Sequence, residues 1–139
     1  MTALLDSGFL YATADKSDRH HKTVIGLFAT LSDDLLLPTT VLVEISYLLQ
    51  ARLGHDKMRL FLQQITNSSI QVEPITKGDL PRINALLEQY RDAKLDFVDA
   101  SIVVVAERLN IQKILTVDQR DFRLIRPIHC AYFNILPQK

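Results

Sequence analysis

Short apolar runs alternate with longer amphipathic stretches along the whole chain. Ala3-Leu4-Leu5 is followed by Asp6, Leu35-Leu36-Leu37 by Pro38, and Ile111 to Val117 by Asp118. Runs of this length, closed by turn or cap residues, predict short strands buried on both faces. Between them apolar residues recur at helical spacing. Val24, Ile25, Leu27, Phe28 and Leu31 follow the polar segment 15–22, and Ile83, Leu86, Leu87 and Tyr90 follow Thr76-Lys77-Gly78-Asp79. Thr39-Thr40 predicts the cap of a helix through Leu49, Gly54 its stop, and residues 55–67 a second helix. Residues 70–75 alternate like a strand, which Pro74 ends or places at an edge. Residues 127–133 are expected as the last strand. Strands alternating with helices predict an α/β fold, a three-layer α/β/α sandwich around a mostly parallel sheet. No repeat, low-complexity tract or linker interrupts it, so residues 1–139 are expected to form a single domain.

The densest stretch, residues 95–121, combines an apolar helix opened by Asp96 and Asp99 with a strand ending at Asp118. Each acid has an ordinary explanation by itself. Asp96 suits an N-cap, Asp99 the positive end of a helix dipole, and Asp118 a turn. Asp6 likewise suits the cap of the helix after the first strand. Glu44 is harder to explain in this way. A capping box from Thr39 or Thr40 needs an acid at position 42 or 43, and both are apolar; Glu44 instead sits between Val41 and Leu48 on the helix surface.

In a parallel α/β sheet, ligands bind beyond the carboxyl ends of the strands, where strand order reverses. Asp6 and Asp118 end strands, and Glu44 and Asp99 open helices on that same edge, so the four acids are expected to converge. Carboxylates that share a crevice raise one another's pKa unless a cation neutralises them. An all-oxygen set without His or Cys suits a hard ion, Mg²⁺ or Mn²⁺. One such ion, or a pair roughly 4 Å apart, generates hydroxide and stabilises in-line displacement at phosphorus. Ser7 and Thr116 stand beside these acids in sequence and are candidates to orient a carboxylate or the attacking water.

These residues resemble the PIN-domain nucleases, and within them the VapC-like toxins of type II toxin–antitoxin pairs. The resemblance spans nearly the whole chain. It rests on Leu4-Leu5-Asp6-Ser7, on Thr40 to Glu44, on Leu95 to Ala100 around Asp99, and on Leu115-Thr116-Val117-Asp118. The resemblance implies that Asp6, Glu44, Asp99 and Asp118 bind Mg²⁺ or Mn²⁺ and cut RNA. It also implies a cognate antitoxin protein and a homodimer. Asp96 matches a variable position and stays open between ligand and cap, while Asp121 is expected to cap a short turn. Helices within 40–67 are the expected antitoxin surface.

Composition narrows the rest. Sixteen basic and sixteen acidic residues cancel, which excludes a binder that relies on net positive charge but leaves room for a local basic patch. Lys16, Arg19 and Lys22 after the first helix, and Arg120 and Arg123 after the last acid, fit phosphate contact or a solvated face equally well. His20 and His21 are not needed as general bases where a metal already lowers the pKa of water. The single cysteine, Cys130, allows no intramolecular disulfide or Cys-rich zinc site, fits a small buried hydrophobe, and suits a reducing compartment. The first charge, at Asp6, comes too early for a signal peptide, and no apolar run is long enough for a membrane span, so a cytoplasmic protein is expected. A haloacid-dehalogenase-type phosphatase wants a second Asp where Gly8 stands, and a response-regulator receiver wants a Lys where Thr116 stands. A PIN module in RNA processing outside a toxin–antitoxin pair, or a non-catalytic scaffold, remains the alternative.

Overall fold

The computed structural model describes residues 1–138. Five strands, β1 (Thr2–Leu5), β2 (Asp34–Pro38), β3 (Gln71–Glu73), β4 (Lys113–Leu115) and β5 (Asn134–Leu136), form one sheet in the order β3-β2-β1-β4-β5. Every neighbouring pair is parallel; Leu4 faces Leu36 on one side and Ile114 on the other. Successive strand side chains point to opposite faces, yet Ala3, Leu4 and Leu5 are all fully buried. Both faces are therefore covered, as the three-layer expectation requires. From β1 the chain adds β2 and β3 on one side and then crosses to add β4 and β5 on the other. That reversal puts the crevice at the carboxyl ends of β1 and β4.

Seven helices cover the sheet: α1 (Ser7–Ala14), α2 (His21–Thr30), α3 (Thr39–Leu53), α4 (His55–Thr66), α5 (Leu80–Gln89), α6 (Phe97–Leu109) and α7 (Arg120–Leu124). Helix α6 is the central one. Every residue from Ala100 to Ala106 is buried, as expected of a helix that is apolar all round. It runs from its Asp96 cap to Asn110, which takes the left-handed conformation at φ 56°. Arg108 ties α6 to the sheet edge. Its Nε lies 3.0 Å from Asp79 and its Nη1 2.9 Å from Glu73. Arg82 grips Glu107 through two bonds of 2.9 and 3.0 Å. At the amino end of β4, Lys113 pairs with Asp33 at 2.8 Å.

Several local expectations are corrected. Helix α3 begins on Pro38 without a side-chain cap. Thr39 instead accepts from the Ile75 amide at 3.2 Å, and the Thr40 hydroxyl lies 2.6 Å from that of Ser101. Residues 128–132 form bends, and the last strand is Asn134–Leu136, because the ladder with β4 takes up those backbone groups. On α2 only Val24 is fully buried, while Ile25 and Phe28 remain substantially exposed. Asp121 lies inside the first turn of α7 rather than capping it. Cys130 is half-buried, its thiol 3.4 Å from the Tyr132 carbonyl. Among the described residues no helix is long and apolar enough to cross a membrane.

Ile102 is fully buried at the centre of α6. Ile102→Ala is expected to cost about 2–5 kcal/mol in urea unfolding, with an unchanged denaturant slope. The same truncation at Ile128, 75% exposed, is expected to change stability by less than about 0.5 kcal/mol.

Candidate active site

Asp6 lies where β1 hands over to α1. Its amide donates to Leu115 O at 3.0 Å, extending the β1–β4 ladder by one residue and fixing the carboxylate at the crevice. One carboxylate oxygen accepts from the Ser7 amide at 2.8 Å, as an N-cap does. The other accepts from the Thr116 hydroxyl at 2.7 Å. That hydroxyl also accepts from the Asp118 amide at 3.2 Å, so one buried side chain sets the positions of two acids 112 residues apart in sequence. Ser7 donates its hydroxyl to Glu44 on α3. The Thr40–Ser101 contact joins the first turns of α3 and α6, the helices that carry Glu44 and Asp99.

Asp96 is the N-cap of α6 and accepts from the Asp99 amide at 2.8 Å. It is thus committed to the backbone. The Asp99 carboxylate has no hydrogen-bond partner among the described residues, nor has that of Asp118. Gly8, in the first turn of α1, permits close approach, since a Cβ there would meet Val117 Cγ2 at 3.1 Å.

The charges report the convergence. The Asp6 carboxyl is pushed up to about 6, first by burial, with Glu44 and Asp118 adding to it against the opposing bonds from Thr116 and Ser7. Asp99 is pushed up to about 9 by burial and by the negative charge of Asp6, Asp96, Asp121 and Asp118. The four acids therefore share one electrostatic neighbourhood. They do not close into a cage: among the described residues no three His, Cys, Asp or Glu side chains meet in a metal-holding group. Among the described residues no Lys or Arg pairs with Asp6, Glu44, Asp99 or Asp118; of the nearby acids, Asp121 has Arg120 at 3.3 Å. An oxygen-only donor set with uncompensated negative charge fits a hard divalent cation.

The basic residues divide into two sets. Lys16, Arg19 and Lys22 are exposed. Arg120 bonds the Ala93 carbonyl at 3.2 Å and Asp121 at 3.3 Å, and Arg123 bonds the Gln119 carboxamide at 2.6 Å, so both brace α7. Two site features escaped the sequence. Ser101 had a signal, being a lone hydroxyl in an apolar run. Asp121 adds to the field on Asp99, which only the packing of α7 reveals.

A sign follows for pH. Folded Asp6 and Asp99 keep their protons to higher pH than the unfolded chain does, so the folded state binds more protons from about pH 4 up to about 9. With chelator present, stability is expected to fall as pH rises through that window. Asp99→Asn should flatten the decline and melt above the parent at pH 8. Thermal melts from pH 5 to 9 check this; a rising profile in the parent chain contradicts it.

Comparison with known proteins agrees with this arrangement. The PIN domain family profile matches residues 3–126. Ribonuclease VapC26 of Mycobacterium tuberculosis (strain ATCC 25618 / H37Rv) is 26% identical over 134 residues, which cover 96% of this chain and 99% of that protein. The crystal structure of Mycobacterium tuberculosis VapC20, described as a toxin that cleaves the sarcin–ricin loop, superimposes with a TM-score of 0.78 at 23% identity, covering 86% of this chain and 93% of that one. VapBC2 of Rickettsia felis, solved with a DNA fragment from its promoter, gives 0.70 at 14% identity, covering 97% and 98%. With its sheet order, its crevice and a family match over most of its length, the chain belongs to the PIN domain family.

Proposed function

We propose that this chain is an endoribonuclease dependent on Mg²⁺ or Mn²⁺ and acts as the toxin of a toxin–antitoxin pair. The observation that carries the proposal is the unneutralised charge at the β1–β4 crevice. Asp6 and Asp99 are driven up by burial and by neighbouring acids, with no Lys or Arg paired to them among the described residues. A fold that keeps such a cluster has a use for its charge. The 26% identical ribonuclease supports RNA as substrate, and the toxin structures support the role.

In this proposal Asp6, Glu44, Asp99 and Asp118 hold the cation. When bound, it offsets the charge that develops on the phosphodiester and lowers the pKa of the attacking water. Thr116 fixes the Asp6 carboxylate and the Asp118 backbone, and Ser7 fixes Glu44, so the donors are aimed before substrate arrives. Lys16, Arg19 and Lys22 supply positive charge for the RNA backbone. An apolar groove lined by Leu10, Ile25, Phe28, Phe61 and Ile65 would receive an amphipathic antitoxin segment. In this proposal the partner lies on α1, α2 and α4, so it shares α4 with the surface expected from the sequence.

Purified protein with total RNA and Mn²⁺ is expected to cut, and chelator to stop it. Asp6→Asn or Asp99→Asn should lower cleavage by more than about 10²-fold, and Thr116→Val by about 10–100-fold, as loss of a ligand-orienting partner does. Cleavage by Asp99→Asn at the parent rate would remove that residue from the site. Expression should arrest growth, and co-expression of the cognate antitoxin should relieve the arrest. Harmless accumulation of active, soluble protein would sink the toxin role.

A further inference from the structure

Next to the acids lies a separate cavity of about 220 Å³, lined by His20, Thr23, Val117, Gln119, Pro137 and Gln138. Val117 and Gln119 flank Asp118 in the chain, so one wall is the loop that carries the acid. The opposite wall is the start of α2. Gln119 is fully engaged: its Nε2 donates to Thr116 O at 3.1 Å and to Pro137 O at 2.7 Å, while its Oε1 accepts from Arg123. It is a strut that holds Pro137 against the β4 loop. Val117 is fixed from behind by its approach to Gly8. The apolar surfaces of Val117 and Pro137 are thus rigidly placed.

Size and chemistry together define the occupant. The volume lies below the roughly 300–1,000 Å³ of sites that enclose a drug-sized molecule, which leaves room for one ring system. The groups with hydrogen-bonding capacity to spare are neutral or weakly basic: the Thr23 hydroxyl, the Gln138 carboxamide and the Nδ1 of His20, whose Nε2 already accepts from Arg19 Nε at 3.1 Å. Among the described residues no permanently charged side chain lines the cavity, which favours an uncharged group over a phosphate. Arg19 and Lys22, next in sequence to the lining residues, are exposed. Apolar walls at Val117 and Pro137, uncharged donors and acceptors at the rim, and positive charge outside match an unstacked base whose backbone stays in solvent.

We propose that this cavity accepts one nucleobase of the RNA strand beside the phosphate at the acids. His20, Thr23 and Gln138 then set which base is taken. The inference rests on the nuclease proposal for its substrate but not for its test. Saturation-transfer NMR with the four nucleoside 5′-monophosphates, in chelator, reads base contact without cleavage. At least one base is expected to receive saturation in the parent chain, with a severalfold loss in Thr23→Phe, which fills the cavity from an exposed helix position, and in His20→Ala.

The second arm uses RNA oligonucleotides with an abasic residue walked past the scissile bond. In the parent chain one abasic position should slow cleavage on the order of 10-fold, the size of losing one base stack. Thr23→Phe should be insensitive to that position. Base contact that disappears in Thr23→Phe, in a protein that cuts no RNA, would overturn the nuclease proposal and support the pocket. Absence of base contact in the parent chain, or full contact in Thr23→Phe, overturns the pocket whatever cleavage shows.

Discussion

Asp6 and Asp99 lie where burial and the charge of their neighbours both oppose ionisation, and the surrounding residues fix them there nonetheless. The Asp6 amide is locked into the β1–β4 ladder, and its carboxylate is held from two sides, by Ser7 and Thr116. Glu44 and Asp99 are presented by helices whose first turns are stitched together through Thr40 and Ser101. Left to itself, such a cluster would splay apart or protonate. The rigid parallel ladder and the buried α6 make splaying costly, so the stress is expressed as raised proton affinity.

The rest of the molecule treats charge in the opposite way. Glu107 has Arg82, Asp79 and Glu73 share Arg108, and Asp33 has Lys113. These pairs tie α5 to α6, the β3 edge to α6, and the amino end of β4 to the loop before β2. Each of these partly buried acids has a cationic partner, whereas Asp6, Glu44, Asp99 and Asp118 have none among the described residues. Along β4 the contrast spans only a few residues. Lys113 at the amino end is neutralised and Asp118 beyond the carboxyl end is not.

Much of this was legible in the chain, for definite reasons. Ala3-Leu4-Leu5 and Leu35-Leu36-Leu37 read as strands because a sheet covered on both faces needs continuous apolar runs. Glu44 stood out because its neighbours on the helix surface are apolar. The interlocks between distant residues were not legible. Thr116 reaches Asp6 only through the register that pairs Leu5 with Leu115, and no local pattern encodes register between β1 and β4. Residues 127–133 misled because apolar composition marks what can be strand, while the free edge of β4 selects Asn134–Leu136. Ile25 and Phe28 follow helical spacing, but spacing shows which residues share a face and not whether the fold covers it.

Gly8 has a role set by the room it leaves. Val117 Cγ2 stands 3.1 Å from where its first side-chain carbon would be, so a single hydrogen atom separates the opening turn of α1 from the loop that bears Asp118. A methyl group there would require the Val117 side chain, or the loop behind it, to give by a few tenths of an ångström. Asp6, anchored in the ladder, would stay put. Gly8 therefore works as the shim that sets how closely α1 and the loop beyond β4 approach, and with it the gap between the first acid and the last.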